Sequence, residues 1–562
     1  MRKHSMFKKF LVSVLAGAIL ALSLAACGSV YTSTETELSY DEAETELSSL
    51  LSKVDVSAVE DPVLDIYTDE VSEADALADI STFPITVQGN GQINLEIAGA
   101  TEMTDTSSPD NWLNEVAEDF NRQGNTVNGK TVSITVRQMT SGEVVTYMRA
   151  GAYEPDIYIP SAYPWALMLD ASGIDTVKLT DRLVGNTAGI LMRDDVYETF
   201  IEKYGEATLA NLITAAIAGD VVFAYPNPYT STTGLNGIGA ILYSFDPDNP
   251  LSEKAVSELR SYQESAPPVA YTTAVLRNQA AKGVINTMLM EEQAYINTPS
   301  LSDYTYIPFG VRHDHPVYTF DYCTEEEQEA AQLFVDYCLQ PENQELATQK
   351  GFNRHNDYVS QDPGFTGADW IAAQQIWKEN KSGGRPIVAV FVADTSYSMD
   401  GEPINALKSA LVNTSPYIQE SNYVGLVSYN TDVTVNLPIA QFDASQRAYF
   451  SGEVKNLTPN GNTATYDAVL VGMDMLTQKA KEIGDAKLML FLLTDGQQNR
   501  GYSLDRITPI VEGLSIPVYT VAYNYSDNGE LEELSGVNEA AFLNADSDDI
   551  VNLLRNLFNA EM

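Results

Sequence analysis

Two strongly apolar runs near the C-terminus are each followed closely by an aspartate. Residues 387–392 precede Asp394, and residues 488–493 precede Asp495. Continuous apolar runs of this length are typical of strands that are buried on both faces of a parallel sheet. Because the carboxyl ends of parallel strands share one edge, we expect both aspartates at the edge where open α/β sheets bind ligands.

Hydroxyl side chains accompany these aspartates. Asp394 opens the pattern D-x-S-x-S, and Thr463 follows Gly461 and Asn462. Hard cations such as Mg²⁺ prefer oxygen ligands in near-octahedral geometry and keep several waters. We therefore predict a site for Mg²⁺, with Mn²⁺ or Ca²⁺ as substitutes, formed by Asp394, Ser396, Ser398, Thr463 and Asp495.

The predicted site has two carboxylates and three hydroxyls but no nucleophile–base pair. It suits holding a cation and offering it to a partner's carboxylate, and we predict that the protein is not an enzyme. One alternative is that these are ordinary strand-end turn residues, because Asp, Ser and Thr are favoured in turns. Another is an intact site that no longer engages a partner.

From about Pro386 to the end, the chain resembles a von Willebrand factor type A (VWA) domain. The metal-ion-dependent adhesion site of that family is D-x-S-x-S with a distant Thr and a distant Asp, and all five residues match in order. The usual double glycine before the Thr is Gly-Asn here. The resemblance implies a doubly wound, Rossmann-like sheet with helices on both faces. It also implies direct ligation by Ser396, Ser398 and often Thr463, with Asp394 and Asp495 often acting through water.

The N-terminus has the pattern of a bacterial lipoprotein signal. A basic stretch precedes an apolar run, residues 10–24, and Leu24-Ala25-Ala26-Cys27 resembles a lipobox. We predict a cleaved signal over 1–27 with acylation of Cys27, giving an exported protein anchored to the cell membrane on its outer face or in a periplasm. The alternative is a plain secretory signal with an incidental cysteine. Residues 28–87 are acidic and rich in Ser and Thr, which favours disorder or marginal helix, and we predict a flexible tether.

The net charge argues against binding to nucleic acid or to anionic lipid, and the spacing of the cysteines argues against a disulfide. The net charge is −46 over 562 residues. Nucleic-acid binding needs a basic face, and polybasic attraction to lipid needs clustered cations, so the membrane contact is expected through the anchor only. Cys323 directly precedes a predicted helix over 324–339, and Cys338 lies near its end. Fifteen residues of helix separate the two by about 22 Å, which is too far for a disulfide.

Residues 88–378 alternate strand and helix signals, with strands predicted at 93–97 and 132–136 and an amphipathic helix from Trp112 between them. The order of these elements resembles a bacterial extracellular solute-binding protein, a two-lobed, periplasmic-binding-protein-like fold. That resemblance implies a cleft whose contacts include Thr140 and Ser141, then Ser161, and then the run Thr230, Ser231, Thr232 and Thr233. Hydroxyls at helix N-termini suit a small solute or an anion. The alternatives are simple N-capping and a lobe that has become a scaffold.

Two short motifs are misleading. Residues 124–131 match the phosphate-loop expression, but a predicted helix precedes them and a strand follows, which reverses the required order. His313, Asp314 and His315 are too few and too close for a transition-metal site. We expect a solvated loop there.

The α/β architecture is therefore predicted to consist of a solute-binding-like domain (88–378), a linker (379–385) and a VWA domain (386–562). The leading hypothesis is a surface or periplasmic lipoprotein whose VWA domain binds a protein partner through a metal-bridged acidic side chain. The solute-binding-like domain would act as a sensor or scaffold. The alternative is the substrate-binding lipoprotein of an ABC-type transporter.

Overall fold

The structure is a computed structural model that describes residues 38–65, 74, 77–106, 111–265, 269–270, 276, 280, 285–495, 498–523, 529–538, 540, 542–545 and 550–562. The predicted signal and Cys27 lie outside the described residues.

The first half of the described chain contains alternating helices and strands. They are α1 (Tyr40–Leu51), β1 (Val56–Ala58), β2 (Ile85–Val87), β3 (Ile93–Gly99), α2 (Thr101–Thr104), α3 (Trp112–Gln123), β4 (Thr126–Val127), β5 (Lys130–Gln138), α4 (Ser141–Arg149), β6 (Ile157–Ile159), α5 (Pro164–Ala171), β7 (Thr176–Thr180), β8 (Asn186–Arg193), α6 (Asp194–Tyr204), α7 (Leu209–Ile217), β9 (Phe223–Pro226), α8 (Thr232–Phe245), α9 (Glu253–Glu264) and β10 (Val269–Ala270).

The second half continues the alternation. Its elements are β11 (Thr287–Glu291), α10 (Glu292–Ile296), β12 (Tyr304–His313), β13 (Val317–Phe320), α11 (Glu325–Cys338), α12 (Pro341–Gln349), α13 (Gly367–Asn380), β14 (Ile387–Asp394), α14 (Glu402–Thr414), β15 (Tyr423–Tyr429), β16 (Val433–Gln441), α15 (Ala444–Asn456), α16 (Thr465–Ile483), β17 (Lys487–Thr494), α17 (Leu504–Leu514), β18 (Val518–Tyr523), α18 (Glu530–Val537), β19 (Phe542–Ala545) and α19 (Ile550–Glu561).

Two sheets form two lobes between the N-terminal elements and the C-terminal domain. Lobe 1 has the strand order β2-β5-β3-β6-β13-β7, with β4 paired to β5, and lobe 2 has the order β10-β9-β11-β8-β12. The chain crosses between the lobes before β8 and after β12. The predicted strands at 93–97 and 132–136 and the predicted helix from Trp112 are confirmed. Helix α3 precedes β5, so the phosphate-loop expression has the reversed order that was predicted.

The C-terminal sheet has the order β1-β16-β15-β14-β17-β18-β19. Neighbouring strands pair in parallel except for β15 and β16, so β16 and β1 run opposite to the other five strands. Helices cover both faces, and the two central apolar runs are confirmed as β14 and β17. The predicted α/β architecture, two lobes followed by a doubly wound domain, is therefore confirmed.

The prediction of a flexible tether is wrong over residues 38–65. Helix α1 buries Ala43, Leu47 and Leu50 in the core shared with α16 and α17, and β1 pairs in parallel with the edge strand β16. The three residues have the i, i+4, i+7 spacing of a helical stripe, so burying them offsets the acidic composition of the rest of the segment. The C-terminal domain is thus discontinuous, and the two lobes are inserted between its pieces.

Helix α13 straps the two lobes together. Gly367 at its start lies against the Leu167 carbonyl of lobe 1, and Gly239 of lobe 2 lies against the Trp370 ring. Further along, the Gln374 amide donates to the Pro228 carbonyl at 2.8 Å. One continuous hydrophobic cluster includes residues of both lobes and the buried indoles of α13. The lobes are therefore closed on each other.

The expectation of a solvated loop at His313–His315 is wrong, because both imidazoles are fully buried. His315 Nε2 lies 3.0 Å from the Glu102 carboxylate, and His313 Nε2 lies 3.3 Å from the Asn236 amide. Burial lowers the pKa of His313 to about 3. The hydrogen bond and charge of His315 lower the pKa of Glu102, although burial opposes this shift. The two imidazoles therefore bond to Glu102 and Asn236, which are distant in sequence, where a solvated loop would bond to water.

The predicted helix over 324–339 is confirmed as α11, and it begins with a capping box of Thr324 and Glu327. Cys323 and Cys338 are both buried and unpaired, as predicted.

Contacts between the lobes and the C-terminal domain centre on α19 and the end of α13. Arg555 of α19 is almost fully buried, with Nη2 3.7 Å from the Glu143 carboxylate of α4 and its guanidinium over the Tyr147 ring. Lys381 Nζ donates to the Phe558 carbonyl at 3.2 Å. Lobe 1 therefore lies directly against the C-terminal domain.

Replacing Leu47 with Ala tests whether α1 belongs to the C-terminal domain. Leu47 has no exposed surface, so the cavity is expected to lower the free energy of unfolding of that domain by about 2–4 kcal/mol. The exposed neighbour change Ser49→Ala should be neutral. All four tryptophans lie within 112–377, so calorimetry follows the whole protein while tryptophan fluorescence follows the lobes alone. If both substitutions have equal and negligible effects, α1 is not part of the C-terminal domain, and the prediction of a tether stands.

The buried His313 should make the lobes acid-sensitive. Its folded-state pKa is far below the unfolded value of about 6.5, so the unfolded state binds the proton first as pH falls. The His313 contribution to stability is therefore present above about pH 6.5 and declines toward about pH 3. We expect His313→Gln to lose less stability than wild type across this window, measured by urea unfolding with tryptophan fluorescence. The half-exposed His355, changed to Gln, is the control.

Candidate metal centre

The candidate site lies at the carboxyl edge of the two central strands of the C-terminal sheet. Strands β14 and β17 pair in parallel, with Ala393 opposite Leu493, so both chains leave the sheet at the same level. Asp394 is the last residue of β14, and Asp495 directly follows the last residue of β17. The predicted meeting of the two aspartates at one edge of the sheet follows from this register.

A chain of hydrogen bonds connects four of the five predicted residues. The Ser396 backbone N–H donates to Asp394 Oδ1 at 2.7 Å, and the Ser396 and Ser398 hydroxyl oxygens are 2.9 Å apart. The Ser398 hydroxyl donates to Asp495 Oδ1 at 2.9 Å. A short 3₁₀ turn, Tyr397–Met399, bends the loop so that its alternate side chains point to one place.

Thr463 is held beside this chain by backbone contacts. Its N–H donates to Asn499 Oδ1 at 3.0 Å, and the Asn499 N–H donates back to the Thr463 carbonyl at 3.1 Å. The Tyr397 N–H donates to the Gly461 carbonyl at 3.2 Å. Gly461 has φ +75°, and a Cβ there would lie 2.4 Å from the Thr431 hydroxyl. The glycine is thus required by both its conformation and its neighbour.

The two carboxylates are in an unfavourable electrostatic state. Burial raises the pKa of Asp394 to about 6, the charge of Asp495 adds to this, and hydrogen bonds from Thr494 and Ser396 oppose it. Burial also raises the pKa of Asp495. No lysine or arginine in the described ranges forms an ion pair with either residue. Partly buried carboxylates without a counter-charge are costly, and a cation would relieve the cost.

The donor set fits a hard divalent cation. It consists of oxygen alone, with no nitrogen or sulfur, which suits Mg²⁺, Mn²⁺ or Ca²⁺ better than softer metals. Among the described residues, no group of three or more His, Cys, Asp or Glu side chains is arranged to hold a metal. The candidate centre therefore depends on its hydroxyls as much as on its two carboxylates.

The residues predicted to line a solute cleft are brought together, but several of their polar groups already have hydrogen-bond partners within the protein. Ser141 and Ser161 have hydroxyl oxygens 3.2 Å apart, and the Gly142 N–H donates to the Thr230 carbonyl at 3.2 Å. Thr232 accepts a hydrogen bond from the Trp165 indole at 2.9 Å, and Thr233 donates to Glu291. Of these bonds, the one from Gly142 to Thr230 and the one from Trp165 to Thr232 cross between the two lobes.

Two of these residues are helix caps. Thr140 forms a capping box with Glu143 at the start of α4, and Ser231 accepts from the Gly234 N–H at the start of α8. Capping accounts for their presence at these positions.

Sequence reasoning missed three residues near the candidate metal centre. Asn499 clasps Thr463, Arg500 follows it in the same loop, and Tyr397 stands between the two serines with 70% of its surface exposed. Their closeness to the motif residues in sequence was a usable signal.

No helix in the described ranges has both the length and the apolar character needed to cross a bilayer.

Comparison with known families gives two matches. Residues 103–353 match the model of the bacterial extracellular solute-binding protein family, and residues 389–556 match that of the von Willebrand factor type A domain.

Among curated proteins, the chain is similar to inter-alpha-trypsin inhibitor heavy chain H3 of Mus musculus, with 29% identity over 157 residues, covering 26% of this chain and 18% of that protein. It is also similar to an uncharacterized protein, sll0103, of Synechocystis, with 27% identity over 116 residues, covering 21% of this chain and 26% of that protein. The chain thus spans about a fifth to a quarter of the length of these relatives.

Two solved structures illustrate the two parts. Iron-bound HitA from Pseudomonas aeruginosa is 14% identical with a TM-score of 0.38, covering 52% of this chain and 99% of that chain. A von Willebrand factor type A protein from Catenulispora acidiphila is 20% identical with a TM-score of 0.28, covering 31% of this chain and 42% of that chain. By the two family models, the chain contains a region that matches the bacterial extracellular solute-binding protein family, followed by a region that matches the von Willebrand factor type A domain.

Proposed function

We propose that this protein is an exported, lipid-anchored binding protein whose VWA domain engages a macromolecular partner through a divalent cation. Asp394, Ser396, Ser398, Thr463 and Asp495 would hold Mg²⁺, and a carboxylate of the partner would complete the coordination. The observation that carries this proposal is the hydrogen-bonded chain from Asp394 to Asp495 at the sheet edge, in which neither carboxylate has a basic partner among the described residues.

The charge of the donor set favours binding over turnover. The three hydroxyls are neutral ligands and would leave the cation more electrophilic than carboxylates in their place, so a further carboxylate could complete its coordination. The one hydroxyl–carboxylate pair among the five residues, Ser398 with Asp495, would be occupied by the cation and would not serve as nucleophile and base, and a reaction needs residues in such roles. We therefore infer that the site binds and does not catalyse.

The path of the N-terminal segment supports access to the site from solution. The last turn of α1 lies near the metal edge, where Tyr502 donates to the Leu50 carbonyl at 3.1 Å. Its first turns contact Gly513 and Lys481, at the ends of crossover helices that run away from that edge. The eight residues of β14 separate the two edges by roughly 26 Å. A chain anchored at Cys27 would therefore enter on the side opposite the metal centre.

We propose that the solute-binding-like region serves mainly as a scaffold for this domain. A transport receptor must open to exchange its ligand, but here α13 joins both lobes, and the candidate ligand groups already have hydrogen-bond partners within the protein. The alternative, a transporter's substrate-binding lipoprotein, predicts a retained small molecule. Mass spectrometry of the denatured, purified protein would detect that molecule.

Mg²⁺ should stabilise the VWA domain. At about a hundred times its dissociation constant, a ligand specific for the folded state adds ~2.7 kcal/mol. We expect Mg²⁺ to raise the calorimetric unfolding temperature of that domain in wild type but not in Asp394→Ala or Ser398→Ala. The tryptophan-detected transition of the lobes should move little.

Ser421→Ala is the matched control, because Ser421 is also exposed but precedes β15 at the opposite edge. It should keep the full metal response. An equal metal effect in wild type and Asp394→Ala, or none in wild type, would refute the proposed centre.

The stability of the VWA domain should depend on pH with opposite signs in the presence and in the absence of metal. Because the pKa of Asp394 is raised to about 6, a proton competes with Mg²⁺ below that value, and the metal-induced rise should shrink between about pH 7.5 and about pH 5. In chelator, the unfolded state ionises first, so the Asp394 contribution is lost as pH rises from about 4 through about 6. Calorimetry across this range measures both slopes, and parallel slopes would contradict a metal at Asp394.

A further inference from the structure

The rim of the candidate metal centre carries an exposed aromatic side chain. Tyr397 is a large hydrophobic residue with 70% of its surface exposed. Its backbone is fixed, because its N–H donates to the Gly461 carbonyl. Exposed aromatic residues on a rigid support are typical anchors of protein interfaces, since little conformational entropy is lost on binding.

A guanidinium lies on the other side of the Thr463 loop. The Arg500 backbone N–H donates to the Thr463 carbonyl at 3.3 Å, and Arg500 Nε donates to the Thr431 carbonyl at 2.7 Å. Thr431 in turn contacts Gly461 and accepts from the Asn462 N–H at 3.0 Å. Tyr397 and Arg500 are thus joined through one small network around Thr463.

Residues 498–502, which include Arg500, are preorganised. Gln498 donates from Nε2 to the Arg500 and Tyr502 carbonyls, both at 2.7 Å, and the Tyr502 N–H donates to Asp467 at 2.9 Å. Gly501 has φ +82° and lies against the Asp467 carboxylate, which leaves no room for a side chain. Arg500 is therefore held in place before any partner arrives.

Arg500 has capacity for a further anion. Its Nη2 lies 3.8 Å from Asp432, and both side chains are about half exposed, so this pair is weak. Apart from the Nε contact, the N–H groups of its guanidinium form no hydrogen bond within the described ranges. A guanidinium can bind a carboxylate through two parallel N–H groups.

We propose that the partner of the metal centre is an acidic peptide segment with two carboxylates and an apolar or aromatic side chain. One carboxylate ligates the metal, the second binds Arg500, and the apolar side chain packs on Tyr397. This inference rests on the proposed metal centre. A protein segment fits better than a polyuronate, because the net charge of −46 repels a polymer with a carboxylate on every sugar.

The test uses the full chain, excess Mg²⁺ and a fluorescein-labelled hexapeptide that contains aspartate, tryptophan and glutamate in that order. Fluorescence anisotropy gives the affinity, and matched peptides replace glutamate by glutamine or tryptophan by glycine. We expect Mg²⁺-dependent binding by wild type that weakens about tenfold with the glutamine peptide. Arg500→Gln should bind the two peptides equally, because the coupled pair is already broken. Tyr397→Ala should bind the tryptophan and glycine peptides equally, whereas Tyr397→Phe should still prefer the tryptophan peptide.

Arg506→Gln is the matched control. Arg506 is as exposed as Arg500, at 48%, but pairs with Glu46 on the flank of the domain. It should behave as wild type. The proposal is overturned if no peptide binds in Mg²⁺, if Arg500→Gln keeps the glutamate preference, or if oligogalacturonate binds more tightly than the hexapeptide. If Mg²⁺ stabilises the domain but no peptide binds, only this inference is refuted. If Mg²⁺ does not stabilise the domain and no peptide binds, the proposed metal centre is refuted as well.

Discussion

The parallel pairing of β14 with β17 is the interaction on which the rest of the C-terminal domain depends. It brings two apolar runs to the centre of the sheet and ends them at one level, so that Asp394 and Asp495 leave the core together. The core that flanks these strands keeps Asp394 out of water, and this burial raises its pKa. The same packing that stabilises the sheet therefore produces the uncompensated carboxylates that favour a cation.

Much of this arrangement could be predicted from local sequence. The apolar runs, the D-x-S-x-S loop and the capping box at Thr324 are short-range patterns, and each determines its own structure. The failures involve distant partners. The docking of β1 depends on a strand 377 positions away, and the burial of His315 depends on Glu102, 213 positions away. No local pattern at either position records those partners, although the stripe of Ala43, Leu47 and Leu50 was a sign that α1 packs.

The solute-binding-like region and the VWA domain share more than a linker. Helix α13 contacts both lobes and then continues, through Lys381, to the backbone of α19. Arg555 of that helix reaches Glu143, which caps the helix that begins at Thr140. A change in lobe closure would therefore disturb the packing of α19, and the closed state is the one that keeps these contacts together.

The split of the VWA domain around the lobes has a consequence for synthesis. Residues 38–65 leave the ribosome first, but their partner strand β16 follows hundreds of residues later, about 20–80 s at ordinary elongation rates. During that interval the apolar face of α1 has no native surface to cover it, while the inserted lobes already have all their strands. The lobes are thus expected to fold first and bring the two ends of the chain into register, and closure of the large loop between Ser57 and Thr434 becomes a late step.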